Sequence, residues 1–412
     1  MTYVADLHMH SPFARECSKL LTFENLAATA RKKGIHLLAS GDFTHPKQLE
    51  ATKRMLREAG GGLFEYGDVK FILGTEVNSI AEEGGRRRRV HLLLFAPTIH
   101  AVERVNRELA KAGNLLEDGR PTVRVSPREI VTLLKEVDER CFLIPAHLWT
   151  PWYGIYGSRS GFDSLEECFG DSMRHIHGIE IGLSSDPAMN WRTPSLDNVS
   201  ILSFSDAHSL PNMGREVTVF NGKPSYDGLV KALRQQDIAY TVEFFPEEGK
   251  YHYSGHRQCG VSLAPEQVRE QGVRCPVCKR KMTIGVMQRV EDLAGRGAAL
   301  TREPDGTLRG PTNRPPFRHM VSLRQIVGES LGTGPTGKRA TALHERILGE
   351  LGPEIQLLTE TDPKDLGPVA GERVTEGIMR VRRGEVSIMP GFDGEYGKVS
   401  VWPAAEPAMR PR

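Results

Sequence analysis

The feature that most constrains this chain is a rhythm in its N-terminal half: short apolar segments that each carry or run out into a histidine, aspartate or glutamate. Tyr3-Val4-Ala5-Asp6-Leu7 leads to His8-Met9-His10, Ile35–Ala39 to Gly41-Asp42-Phe43-Thr44-His45, and Val69–Leu73 to Gly74-Thr75-Glu76. Val90–Phe95 carries His91, Phe142–Pro145 runs into Ala146-His147, Gly178–Ile181 follows, and Ile201–Ser205 runs into Asp206-Ala207-His208. Helical stretches, the first over 22–33, separate them. Apolar strands alternating with helices are the pattern of β/α units around parallel strands. In such folds the loops after the strand C-termini converge on one face, so side chains distant in sequence share one site.

On a strand, residues two apart point the same way, so His8 and His10 present two imidazoles to one side. Such a pair can hold a borderline divalent ion or be satisfied by hydrogen bonds. The recurrence of imidazoles and carboxylates at successive strand ends favours a metal cluster: neighbouring Zn²⁺, Mn²⁺, Mg²⁺ or Fe ions sharing a bridging group. His175, His177 and Asp163 also lie near strand ends, and surface or supporting roles suit them better.

At 412 residues, with 39% hydrophobic and 26% charged residues, the chain fits a soluble protein of more than one domain. No basic-then-apolar leader or membrane-length apolar run is seen, so a cytoplasmic protein without a membrane partner is expected. The net charge of +2 requires any nucleic-acid footprint to be local. The β/α rhythm breaks after Val217–Phe220, and one further helix and strand end near Glu243. The expected organisation is a catalytic barrel over 1–245, a zinc-binding module over 246–294 and a Gly/Pro-rich linker or loop over 295–316. A small α+β C-terminal region over 317–412 is a candidate DNA-binding unit. Within it, helices are expected at 323–331 and 342–351, and strands at 378–381 and 399–402 pair around Met389–Gly394.

Half of the six cysteines fall between 259 and 278, which suits metal rather than a disulfide framework. Cys275-Pro276-Val277-Cys278 presents two thiolates from one turn, and His256-x-x-Cys259 mirrors its spacing, enough to close a tetrahedral structural Zn²⁺ site. His252 competes with His256 as the fourth ligand. Arg257, Arg274, Lys279, Arg280 and Lys281 make the module basic, for phosphate contact or for solubility.

Asp6-Leu7-His8-Met9-His10-Ser11 and Ser205-Asp206-Ala207-His208 resemble the first and last motifs of the PHP (polymerase and histidinol phosphatase) family over roughly residues 3–220. The resemblance implies a distorted β/α barrel with a di- or trinuclear metal site that hydrolyses phosphoesters by attack of water. It implies metal ligation and catalysis by His8, His10, Glu76, His147, Asp206 and His208, with His91 as a further ligand and Glu76 bridging. Asp42 and His45 compete for another position, because Phe43-Thr44 separates residues the family places side by side. Where the family has another ligand after the first motif, this chain offers Glu16 or Cys17.

Gly41–Pro46, Pro145–Trp152, Gly161–Asp171, Gly182–Pro187 and Met189–Arg192, with the zinc module, narrow the resemblance to the endonuclease Q nucleases. That implies nicking of DNA 5′ to uracil, hypoxanthine, xanthine or an abasic site, with the lesion nucleotide flipped out of the helix. Trp149, Trp152 and Tyr153 then serve as stacking faces for the base, or else as packing anchors. Arg86 and Arg87, in a run of arginines at a hairpin turn, either grip phosphates or are merely solvated. A small-molecule phosphatase and a non-catalytic DNA-binding protein are the competing readings.

Overall fold

The computed structural model describes residues 1–311 and 313–403; Thr312 in the expected linker and 404–412 of the C-terminal region lie outside them. Strands β1 (Thr2–Asp6), β2 (Leu37–Ala39), β3 (Val69–Glu83), β4 (Arg86–Ala96), β5 (Phe142–Pro145), β6 (Gly178–Glu180) and β7 (Ser200–Leu202) arise where the apolar segments were read. Helix α1 (Phe23–Lys33) shows why the boundaries were legible. Thr22 caps it by accepting from Asn25 N, Gly34 ends it at φ +83°, and Phe23, Leu26, Ala27 and Ala30 form its buried face.

The strands close into a distorted barrel. β1 runs parallel to β2 and β2 parallel to β3. β3 and β4 form an antiparallel hairpin, β4 pairs antiparallel with β5, and β6 runs parallel to β7. Leu148 N donates to Glu180 O at 2.9 Å, joining the β5 and β6 ends, and a parallel bridge between Met9 and Ala207 joins the β7 end back to β1. The β3/β4 hairpin departs from an all-parallel barrel for a local reason. Gly84-Gly85 is a two-residue turn with φ of +57° and +71°, a geometry that reverses a strand and leaves no room for a crossover helix.

Beyond the barrel, β8 (Val217–Asn221) pairs antiparallel with β1, and β9 (Ile238–Glu243) antiparallel with β8. The stretch 295–316, expected as a linker or loop, is largely irregular but carries two short strands. Thr301–Arg302 and Leu308–Arg309 pair and extend the sheet through β10 (Phe317–His319), which lies parallel to β9. Arg314 is buried there, paired with Asp197. The expected strand at 378–381 is also corrected: those residues sit inside the helix Glu372–Arg383, and it is Ser387–Met389 that pairs with Lys398–Ser400. Val374, Ile378 and Val381 recur at helical spacing and are buried.

One apolar core runs from the barrel into the C-terminal helices, taking in Ile326, Ile347, Ile355 and Val399. The zinc module has a separate small core of Val261, Leu263, Val268, Cys275 and Met282. Among the described residues no helix is long and apolar enough to cross a membrane.

Candidate metal centre and its cleft

The strand-end residues meet around one carboxylate. Glu76 Oε2 lies 3.5 Å from His8 Nε2 and 3.4 Å from His10 Nε2. Its other oxygen, Oε1, lies 2.6 Å from His91 Nδ1 and 3.2 Å from His147 Nε2. Asp206 Oδ1 stands 3.4 Å from His8 Nε2, 3.1 Å from His10 Nε2 and 3.5 Å from His208 Nδ1. Three donor groups result, His8/His10/Glu76, His10/Asp206/His208 and Glu76/His91/His147, linked through Glu76 and His10. A carboxylate facing an imidazole pair with each oxygen is the arrangement of a bridging ligand between two ions.

The donor set fits divalent ions. His8 Nε2 is fully buried without a hydrogen-bond partner, yet faces two carboxylates. Burial opposes charge on His8, but Glu180, Asp206 and Glu76 outweigh it and hold its pKa well above the usual value. Burial likewise opposes charge on His10, and Asp42, Asp206 and Glu76 bring it to about 9. Burial, reinforced by His147 and Arg120, depresses His91 to about 4. Against the penalty of burial, His91, Arg120 and His8 hold Glu76 ionised well below the carboxylate range. Protons on His8 and His10 thus balance the buried carboxylates, a balance that metal cations exchange for.

Asp42 and His45, read as rivals for one ligand position, both stand off the cluster. Asp42 Oδ1 lies 3.1 Å from His10 Nδ1, the nitrogen facing away from Glu76, and Oδ2 accepts from Ser11 N at 2.6 Å. Asp42 therefore orients His10. His45 stacks on Phe13 with ring centroids 4.8 Å apart. Neither Glu16 nor Cys17 joins the donor groups. Glu180 went unrecognised in the sequence: it lies 2.8 Å from His8 Nδ1 and accepts from His147 N at 2.7 Å. A glutamate at the centre of the apolar run Gly178-Ile179-Glu180-Ile181 was the signal available. Asp42, His147 and Asp206 all have positive φ, of +45°, +30° and +46°, local strain at three residues of the site.

A cleft of about 440 Å³ opens onto His91, His147 and Asp206. Its walls come from three parts of the chain: Arg120, Trp152 and Tyr153 from the barrel, Lys250 and Tyr251 from the segment entering the zinc module, and Tyr396 from the C-terminal hairpin. Tyr153 stacks on His91 at 4.5 Å, and Trp152 meets Tyr251 edge-on at 5.0 Å. Trp149 is corrected to a packing anchor: its exposure is 0%, and Nε1 donates to Asn190 Oδ1 at 2.8 Å. Arg86 and Arg87 are exposed at the hairpin tip, on the order of 20 Å along the strands from Glu76, away from the cluster.

In the zinc module, His256, Cys259, Cys275 and Cys278 bring one donor atom each within 4.8 Å of the others. His252 is buried apart from them against Tyr253, so His256 is the imidazole of the group.

No family model matches the chain. It is 31% identical over 263 residues to the uncharacterized protein MJ0043 of Methanocaldococcus jannaschii, covering 62% of this chain and only 31% of that relative's length. It is 28% identical to the uncharacterized protein YqxK of Bacillus subtilis over 96% of this chain and 98% of the relative. Among solved structures, the lesion-specific endonuclease PfuEndoQ from Pyrococcus furiosus superposes with a TM-score of 0.85 at 29% identity, covering 97% of this chain and 95% of that one. Endonuclease Q in complex with a 27-mer duplex bearing an abasic lesion at the active site gives a TM-score of 0.84 at 29% identity, over 97% and 96%. In fold and along nearly its whole length the chain resembles endonuclease Q, and its donor set is that of a metal-dependent phosphodiesterase.

Proposed function

We propose that this protein is a DNA repair endonuclease that hydrolyses the phosphodiester 5′ to deaminated bases (uracil, hypoxanthine, xanthine) and abasic sites. The observation that carries the reading is Glu76, shared between two imidazole pairs, one of which, His91 and His147, lines a cleft walled by aromatic residues from three regions of the chain. The similarity to a lesion-specific endonuclease and to its complex with abasic DNA supports the substrate class.

Divalent ions held by His8, His10, Glu76, His91, His147, Asp206 and His208 would activate water and neutralise phosphate charge. The protein's own part is to place those donors and admit the substrate. Glu180, Asp42 and Thr150 fix the rings of His8, His10 and His147 through the nitrogen that faces away from Glu76. Tyr153, Trp152, Tyr251 and Tyr396 offer apolar faces on which a flipped base or its sugar stacks, and Lys250 Nζ lies 5.7 Å from the Tyr251 ring and 5.6 Å from the Tyr396 ring.

The test is a base-resolved assay on end-labelled duplexes carrying uracil, hypoxanthine, xanthine or an abasic site, each with Mg²⁺, Mn²⁺ or Zn²⁺. A nick immediately 5′ to the lesion, leaving the base attached, is the expected product. Cleavage 3′ to it, release of free base, or turnover of phosphomonoesters alone would sink the reading.

A further inference from the structure

Arg120 lies between the helix Ile99–Leu109 and the strand Thr122–Val123, outside every segment that the strand-end pattern marks. Its side chain is 26% exposed, and Nη1 donates to Glu76 Oε2 at 3.3 Å, the oxygen that faces His8 and His10. Among the described residues this is the one side-chain hydrogen bond Arg120 makes. The guanidinium also lines the cleft beside His91, His147 and Asp206.

The loop that carries it is built to hold this position. Asp118 Oδ1 accepts from both Arg15 N at 3.1 Å and Arg120 N at 3.2 Å. Gly119 N donates to Phe13 O at 3.1 Å, and Thr44 Oγ1 donates to Gly119 O at 3.1 Å. A Cβ at Gly119 would stand 2.5 Å from Asp42 Oδ2 and 2.9 Å from Ala14 N, so only glycine lets the loop approach this closely. The loop after β1, which carries His8 and His10, and the loop after β2, which carries Asp42, thereby clamp the backbone leading into Arg120.

As a mere partner for Glu76, this arginine is redundant, because imidazoles already face both oxygens of that carboxylate. A permanent cation beside donors for divalent ions also repels those ions, a penalty that an anion in the cleft removes. A guanidinium with N–H groups to spare is the side chain suited to phosphate oxygens.

We propose that Arg120 is the phosphate-binding arginine of the site, donating to the non-bridging oxygens of the phosphodiester and neutralising the charge that grows there as the bond breaks. This rests on the phosphodiesterase reading above but not on the lesion. The substitutions R120A and R120K would therefore be assayed with Mn²⁺ on both bis(p-nitrophenyl) phosphate and the lesion duplex. Bound metal, thermal melting and calorimetric affinity for inorganic phosphate would be measured on the same samples. R120A should lower kcat about 100-fold, raise KM, leave bound metal little changed, weaken phosphate binding and recover with added guanidinium ion, and R120K should retain part of the rate. Turnover, phosphate affinity or both at wild-type level in R120A, or loss of bound metal in both variants, would overturn the proposal. Wild-type cleavage of bis(p-nitrophenyl) phosphate without nicking of lesion DNA would sink the repair reading and leave Arg120 to be judged on the small ester. With no turnover at all, phosphate affinity decides.

Discussion

The molecule contains two groups of metal donors built on opposite plans. The barrel cluster draws His8 and His208 together from opposite ends of a 200-residue stretch, and its donors are mostly buried in the main core. The zinc group takes its donors from His256 to Cys278 and sits in a separate core of few apolar residues. The first is preformed by folding and tuned by carboxylates behind its imidazoles; the second supplies much of the order of the module that carries it. Removing metal should therefore silence one region and unfold the other.

The largest effect expected is on catalysis. Asp206→Asn or Glu76→Gln should cut nicking by at least ~10³-fold while the melting temperature moves little, because a preformed site survives the loss of one donor's charge. Preserved activity with full metal loading would break the comparison on the barrel side. Cys275→Ser should unfold the zinc module, read as loss of amide protection over 254–282 with protection of β1–β7 retained, and it should weaken DNA binding. Loss of protection throughout the barrel would show that the two cores are one cooperative unit.

Glu180→Gln should weaken metal affinity by roughly 10- to 100-fold without abolishing binding, since it removes the charge that orients His8 rather than a donor. Titration of the metal-free protein followed by calorimetry measures this. A smaller effect concerns the seam between barrel and C-terminal helices. Glu354 is buried against Lys33 Nζ at 2.8 Å, and burial notwithstanding, Lys33 and His344 hold its carboxyl at about 2. A folded-state value depressed below the ordinary 4.5 gives stability that is complete above about pH 4.5 and lost as pH falls toward 2. The linkage is worth roughly 3 kcal/mol, so E354Q should flatten the acid limb of the stability profile over that window. An unchanged limb would mean the seam owes nothing to this pair.

The same contrast governs how much was legible beforehand. The four-donor group of the Cys-rich module could be read almost outright, because two close-spaced donor pairs set its geometry locally, and only the choice between His252 and His256 needed the fold. The barrel cluster was legible as a set of strand ends. Its division into donors and supporters was not, since Asp42 and Glu180 differ from Glu76 only in which ring nitrogen they meet. Trp149 and Trp152 stand three residues apart in one aromatic loop, yet one is fully buried and the other lines the cleft. The stretch 295–316 read as a linker or loop because its strands are too short for any periodicity to show.

What the sequence determined by itself is therefore the local chemistry: the strand and helix rhythm, the Gly84-Gly85 reversal, the thiolate turn, and imidazoles and carboxylates at the ends of β strands. The tertiary structure alone decided which oxygen faces which nitrogen, that Arg120 enters the cleft, and that Tyr396 lines it together with Tyr251 and Trp152. Those relations depend on loop closures over tens to hundreds of residues, where a shift of an ångström exchanges a donor for a supporter and no local periodicity records the outcome.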